Sequence, residues 1–149
     1  MTKRSGRPIE ILMVEDTPTD VLITKEAISQ ARLVNSLHVV EDGEEAMAFL
    51  RRQGQYANMP RPDLVLLDWN LPRKSGKEVL ADVKSDEHLK IIPVVILTSS
   101  KAEVDVLRAY GLHANAYITK PVDFSSFVEL VTSLNHFWFS IVTLPPADP

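Results

Sequence analysis

Cysteine is absent from the sequence, which excludes disulfides, thiolate metal sites and a cysteine nucleophile. The N-terminus lacks an apolar signal core, and no apolar run approaches the roughly twenty residues that span a membrane. An excess of positive charge is also missing. The net charge is −4 at pH 7, so there is no electrostatic reason to expect nucleic-acid binding. The basic cluster Lys3, Arg4 and Arg7 is short and terminal, and it reads as a solvated arm. Internal repeats and linkers are lacking too. These absences make a cytoplasmic protein with no membrane partner the expectation. What remains is 149 residues, 45% hydrophobic and 24% charged, enough for one domain with a single core.

The chain is organised around Asp63-Leu64-Val65-Leu66-Leu67-Asp68-Trp69-Asn70-Leu71-Pro72. Its four consecutive apolar residues are too few for a helix and suit a strand buried on both faces. The run stops at the Asp68 carboxylate, and Pro72 prevents the strand from continuing. Four other runs behave as strands: residues 9–14, 37–40, 93–98 and 114–118. Between them lie amphipathic stretches. Thr17 is placed as an N-cap before Pro18 and Asp20, and Val21, Thr24, Ile28 and Ala31 form the first helical stripe. Ala46, Phe49 and Leu50 pack a second helix that stops near Gly54, followed by a loop over 55–62. Gly76, Val79, Leu80 and Val83 share one face of a third helix. Ser100 and Glu103 make a capping-box signature for a fourth, which Gly111 ends. Asp123 caps a fifth, with the stripe Phe124, Phe127, Val131 and Leu134.

Five strands alternating with five helices predict an α/β fold, a doubly wound parallel sheet covered on both faces. The order 2-1-3-4-5 would make strands 1, 3 and 4 central, and those are the most continuously apolar. Neighbouring strands lie ~4.8 Å apart, so Asp16, Asp68 and Thr98 would fall side by side at one sheet edge, with Glu15 and Lys120 beside them. Carboxylates gathered in one cleft repel unless a cation neutralises them, and hard oxygen donors on a loop suit Mg²⁺. Such a cation would let a carboxylate attack a phosphoryl group, with Thr98 as hydrogen-bond donor and Lys120 as positive charge. Each residue alone has a plainer reading: a solvated turn, a strand-end threonine, a surface lysine. Their joint occurrence at the ends of the right strands is specific.

From about Ile9 to Leu134 the chain resembles a response-regulator receiver domain of two-component signalling. The residues carrying the resemblance are Glu15-Asp16, Asp68 in Asp68-Trp69-Asn70-Leu71-Pro72, Thr98-Ser99, Tyr117 and Lys120-Pro121. The resemblance implies that Asp68 is the phosphoacceptor. It implies that Asp16 and Asp68 bind Mg²⁺ with the Asn70 carbonyl, and that Glu15 acts through a metal-bound water. Thr98 and Lys120 would hold phosphoryl oxygens, Thr98 and Tyr117 would form the switch, and the bond before Pro121 would be cis. Ser99 replaces a commoner Ala or Gly, and His113 stands where a glycine is frequent. A narrower resemblance, to the small regulators paired with bacterial phytochromes, rests on three stretches. They are Leu112-His113-Ala114-Asn115, Pro72-Arg73-Lys74-Ser75-Gly76 and His136-Phe137-Trp138-Phe139 with Leu144-Pro145. It implies a light-sensing histidine kinase as phosphodonor.

The division expected is an arm at 1–8, a receiver at 9–135 and an aromatic extension at 136–149. Phe137, Trp138, Phe139, Ile141 and Leu144 are read as a partner surface, most simply that of a homodimer, because the core is complete without them. No DNA-binding or catalytic output domain is expected in the remaining residues, so output would be carried by binding an unknown downstream protein. Two competitors are disfavoured. A flavodoxin-like electron carrier needs a hydroxyl- and glycine-rich phosphate loop where Glu15-Asp16-Thr17-Pro18 stands. A haloacid-dehalogenase-type phosphatase places its nucleophile on the first strand, not the third.

Overall fold

The computed structural model describes residues 8–31, 35–109 and 114–133. Five strands, β1 (Ile9–Val14), β2 (Asn35–Val40), β3 (Leu64–Asp68), β4 (Val94–Thr98) and β5 (Ala116–Thr119), pair in parallel in the order β2-β1-β3-β4-β5. The helices are α1 (Pro18–Gln30), α2 (Gly43–Leu50), α3 (Gly76–Lys84), α4 (Lys101–Ala109) and α5 (Phe124–Ser133). The fold is therefore the doubly wound, flavodoxin-like one expected from the alternation of elements.

The period of two along each strand sorts the core into two layers. Leu12, Val14, Val65, Leu67, Val94 and Ile96 face one way and meet Phe49 of α2, Leu80 of α3 and Leu107 of α4. Ile11, Met13, Leu64, Leu66, Val95 and Leu97 face the other way, against Ile28 of α1 and Phe127 of α5. Full burial of one such side chain is worth about 1.5–3 kcal/mol. Both layers close over β3 and β4, every residue of which is buried.

Local details depart from the sequence reading. The strand expected at 37–40 starts at Asn35, since Asn35 and Ser36 pair with Ile9 and Glu10 through their backbones whatever their polarity. The strand expected at 114–118 runs from Ala116 to Thr119 instead. Asn115 ends the pairing: its N–H donates to the Val94 carbonyl and its Oδ1 accepts the Val94 N–H. Pro93 precedes β4 rather than opening it. Helix α2 ends at Leu50, not near Gly54, and Arg52 takes the left-handed backbone (φ 56°) just beyond. The loop after it begins with a 3₁₀ turn, Gly54–Tyr56.

Caps and stripes differ as well. Thr17 has N-cap backbone but no capping side-chain bond; its N–H donates to Glu15 Oε2. In α1 the buried residues are Thr24, Ala27 and Ile28, with Val21 partly covered. Ser100 accepts the Glu103 N–H, but Glu103 reaches the Ser99 N–H rather than that of Ser100. The reciprocal capping box belongs to Ser75 and Glu78 at α3. Phe124, expected in the α5 stripe, is 44% exposed; Phe127 and Leu130 turn inward. Gly111, His113, Leu134, the arm residues Lys3, Arg4 and Arg7, the extension 136–149 and the Val131 side chain lie outside the described residues.

Candidate functional site

The parallel register brings the strand ends to one edge. Val14 pairs with Leu67 and Asp68 with Leu97, so Glu15 stands beside Asp68, while Thr98 pairs with Thr119 just before Lys120. Backbone bonds carry the ladder past the strands: Glu15 N–H to the Val40 carbonyl, Trp69 N–H to Leu97, Lys120 N–H to Thr98. Ligand sites in open α/β sheets lie outside this carboxyl edge.

Asp68 is 2% exposed and Glu15 1%, so two carboxylates are buried next to each other. Asp16 is exposed. Carboxylate oxygens of Glu15, Asp16 and Asp68 all lie within 4.8 Å of one another. The Lys120 ammonium faces Asp20 Oδ2 at 3.1 Å, Glu15 Oε1 at 3.2 Å and Asp68 Oδ2 at 3.3 Å. Asn70 donates its N–H to Asp68 Oδ1 at 3.1 Å. Burial, then the hydrogen bond and charge of Asp68, push the Glu15 carboxyl up to about 7 against the pull of Lys120. Burial works against the Lys120 charge, but the bond to Asp20 and the charges of Asp68 and Glu15 outweigh it and raise its pKa. Three acidic side chains that offer hard oxygen donors within 4.8 Å of one another are a fitting seat for a divalent cation.

The loop after β3 is held from two sides. Gly76 donates its N–H to the Trp69 carbonyl, and a Cβ there would stand 2.7 Å from the Asp68 carbonyl oxygen. At Gly43 a Cβ would stand 2.0 Å from the Lys74 carbonyl oxygen. Arg73, in the left-handed region (φ 63°), reaches buried Asp42 at 3.4 Å. Backbone this close to the acid leaves Asp68 little freedom to move.

Thr98 is fully buried, and its hydroxyl donates to the Ser100 carbonyl at 3.2 Å. Tyr117 is partly buried on β5 under the Arg108 guanidinium, 5.4 Å from the ring centroid. Burial raises the pKa of its hydroxyl. The Lys120–Pro121 peptide is cis. The structure thus gathers Glu15, Asp16, Asp68, Asn70 and Lys120 at one point, with Thr98 beside them and Tyr117 on the neighbouring strand. The partner residues Phe137, Trp138, Phe139, Ile141 and Leu144 lie outside the described residues. Asp20 is the site residue that the sequence reading missed. Its place in the first turn of α1 reads as a helix-end acid, and its only other signal in the sequence is its position four residues beyond Asp16.

Comparison with known proteins accords with this geometry. The response regulator receiver domain model matches residues 11–132. Response regulator Rcp1 of Synechocystis sp. is 45% identical over 147 residues, covering 99% of this chain and 100% of the relative. Its Mn²⁺-bound crystal structure superposes with a TM-score of 0.72 at 45% identity, covering 93% of this chain and 100% of that one. The phosphorylated cyanobacterial phytochrome response regulator RcpA gives a TM-score of 0.73 at 46% identity, covering 94% and 100%. Among the described residues, no helix is long and apolar enough to cross a membrane. With the family model covering nearly all of the sheet and its helices, the chain belongs to the response regulator receiver domain family.

Proposed function

We propose that this receiver accepts a phosphoryl group on Asp68 from a histidine kinase of the phytochrome type and signals by phosphorylation-dependent binding. The observation that carries the reading is Asp68 itself, buried at the end of the central strand between acid oxygens within 4.8 Å and the Lys120 ammonium at 3.3 Å. An Asp68 oxygen forms a bond to phosphorus while the P–N bond of the donor phosphohistidine breaks. The bonding pair stays on the imidazole nitrogen, which takes a proton from water. Asp16 and Asp68, with the Asn70 carbonyl, are the residues that would hold Mg²⁺, with Glu15 reaching it through water. Bound there, the ion neutralises the carboxylates and the phosphoryl oxygens so that two anions can meet. Lys120 holds a phosphoryl oxygen, and Thr98 leaves Ser100 to donate to another, with Tyr117 following inward.

The phytochrome assignment is supported by the likeness to Rcp1 and RcpA. A phosphotransfer panel against the kinases of the source organism tests it; preferential transfer from a kinase without a light-sensing module refutes it. The acceptor is tested by intact mass after acetyl phosphate treatment with Mg²⁺. One added phosphoryl group is expected, and equal labelling of Asp68→Asn refutes the assignment.

A further inference from the structure

An ammonium group carries three N–H donors, and Lys120 faces three carboxylate oxygens, those of Asp20, Glu15 and Asp68. Two of these contacts, to Asp20 and Glu15, are hydrogen bonds and the third, to Asp68, is an ion pair, so the ammonium is already drawn toward three acids before any phosphoryl group arrives. For Lys120 to turn fully onto phosphoryl oxygens carried by Asp68, its hydrogen bonds to Asp20 and Glu15 are what hold it back. Glu15 is buried and tied by the Thr17 N–H, so it is poorly placed to yield. Asp68 becomes the phosphorylated group itself. Asp20 differs from both: it is about a quarter exposed, projects from the first turn of α1, and makes the shortest of the three Lys120 contacts.

We propose that Asp20 is a positioning residue that parks the Lys120 ammonium at the mouth of the site and competes with the incoming phosphoryl group for it. The proposal rests on Asp68 as phosphoacceptor. It assigns Asp20 a brake on phosphorylation, released when the ammonium turns from the Asp20 carboxylate to the phosphoryl oxygens. An ordinary first-turn acid interacting with the α1 dipole makes a different forecast, because it affects helix stability and leaves Lys120 alone.

The test combines two readouts. Acetyl phosphate serves as donor because it is too small to sense a docking surface on α1. With Mg²⁺ and subsaturating donor, Asp20→Asn is expected to phosphorylate about three-fold faster than wild type, the scale of one partly exposed ion pair. Asp20→Ser keeps a hydrogen-bond acceptor in the first turn of α1 and should behave the same way. In a Lys120→Gln background the substitution at Asp20 should no longer change the rate. The second readout needs neither metal nor donor: the Lys120 ammonium protons, followed through ¹⁵Nζ, should exchange with water about three-fold faster in both Asp20 variants.

Unchanged ammonium exchange overturns the proposal, whatever the rates do. So does a rate increase that persists without Lys120, since Asp20 would then be acting directly on the donor. A wild-type chain that acquires no phosphoryl group, while its Lys120 exchange still responds to Asp20, refutes the phosphoacceptor reading and upholds the contact.

Discussion

The centre of the sheet and its β5 edge are built differently. In β3 and β4 every side chain is buried, and the strands end in Asp68 and Thr98, both nearly inaccessible. In β5 only Ile118 is buried; Ala116, Tyr117 and Thr119 are half-covered, and the strand has one neighbour instead of two. A strand paired on both sides and covered on both faces has little freedom. An edge strand with fewer buried contacts opens and shifts at lower cost. Under the proposed function, the difference would separate the place where charge is installed from the place where it is read. Phosphoryl transfer at Asp68 would need fixed oxygens, and the proposed response would need a side chain such as Tyr117 with somewhere to go.

The sharpest way to break this division is to remove the charge-bearing group. Asp68→Asn should abolish phosphoryl acceptance outright, as read by intact mass, while the fold persists. Asp16→Asn comes next. Asp16 is the exposed member of the acidic trio, so its loss should weaken divalent-cation binding at least about ten-fold and reduce phosphotransfer with it. Undiminished transfer in excess chelator would contradict a metal requirement.

Rigidity at the centre can be probed through glycines. In Gly76→Ala the new Cβ meets backbone, 2.7 Å from the Asp68 carbonyl oxygen and 2.9 Å from Trp69 Cα, and neither can swing aside. Destabilisation of about 1–3 kcal/mol is expected in denaturant unfolding, together with slower phosphorylation. Gly54→Ala is the control at the surface. Its φ of +57° makes alanine unfavourable by about 1–2 kcal/mol, but nothing lies within 4 Å, so the phosphorylation rate should not change. Thr98→Ala probes the link between centre and edge. The variant should still accept phosphate, while the phosphorylation-induced change at the Tyr117 ring, followed by NMR, should disappear. A wild-type response would show that Thr98 is not the relay.

The sequence made the sheet legible because a strand buried on both faces must be continuously apolar, and β3 and β4 are so up to their last residue and β1 from Ile11 onward. It made the acid cluster legible because Glu15, Asp16 and Asp68 terminate those apolar runs. What it hid depends on distances between distant segments. Nothing in the local sequence shows that Gly43 lies against Lys74, or that Asp20 reaches Lys120 across 100 residues. Cap geometry differs on a local scale: the Thr17 N–H donates to Glu15 two residues back and its side chain caps nothing, while the reciprocal capping box is closed by Ser75 and Glu78 at α3. Periodicity places Phe124 inward, but it stands exposed in the first turn of α5, while Phe127 and Leu130 are buried.

A small expected effect on the site comes from the extension, and it sharpens the comparison at its outer limit. The proposal that the extension drives self-association rests on Phe137, Trp138, Phe139, Ile141 and Leu144, each of which would contribute about 1.5–3 kcal/mol if fully buried against a second copy. A two-fold dimer is the simplest closed arrangement, since it buries the same patch from both chains at once. A chain ending at Asn135 should therefore become monomeric in light scattering, while acetyl phosphate phosphorylates it within about two-fold of the full-length rate, because the strand ends that form the site are intact. Phosphorylation then separates two designs. If the extension alone holds the dimer, phosphorylating Asp68 leaves the full-length association constant unchanged. If the face formed by α4 and β5 joins the interface, phosphorylation tightens it through Tyr117, and Thr98→Ala removes that tightening. A full-length chain that stays monomeric at high concentration, phosphorylated or not, refutes self-association and makes the extension a cover for its own domain.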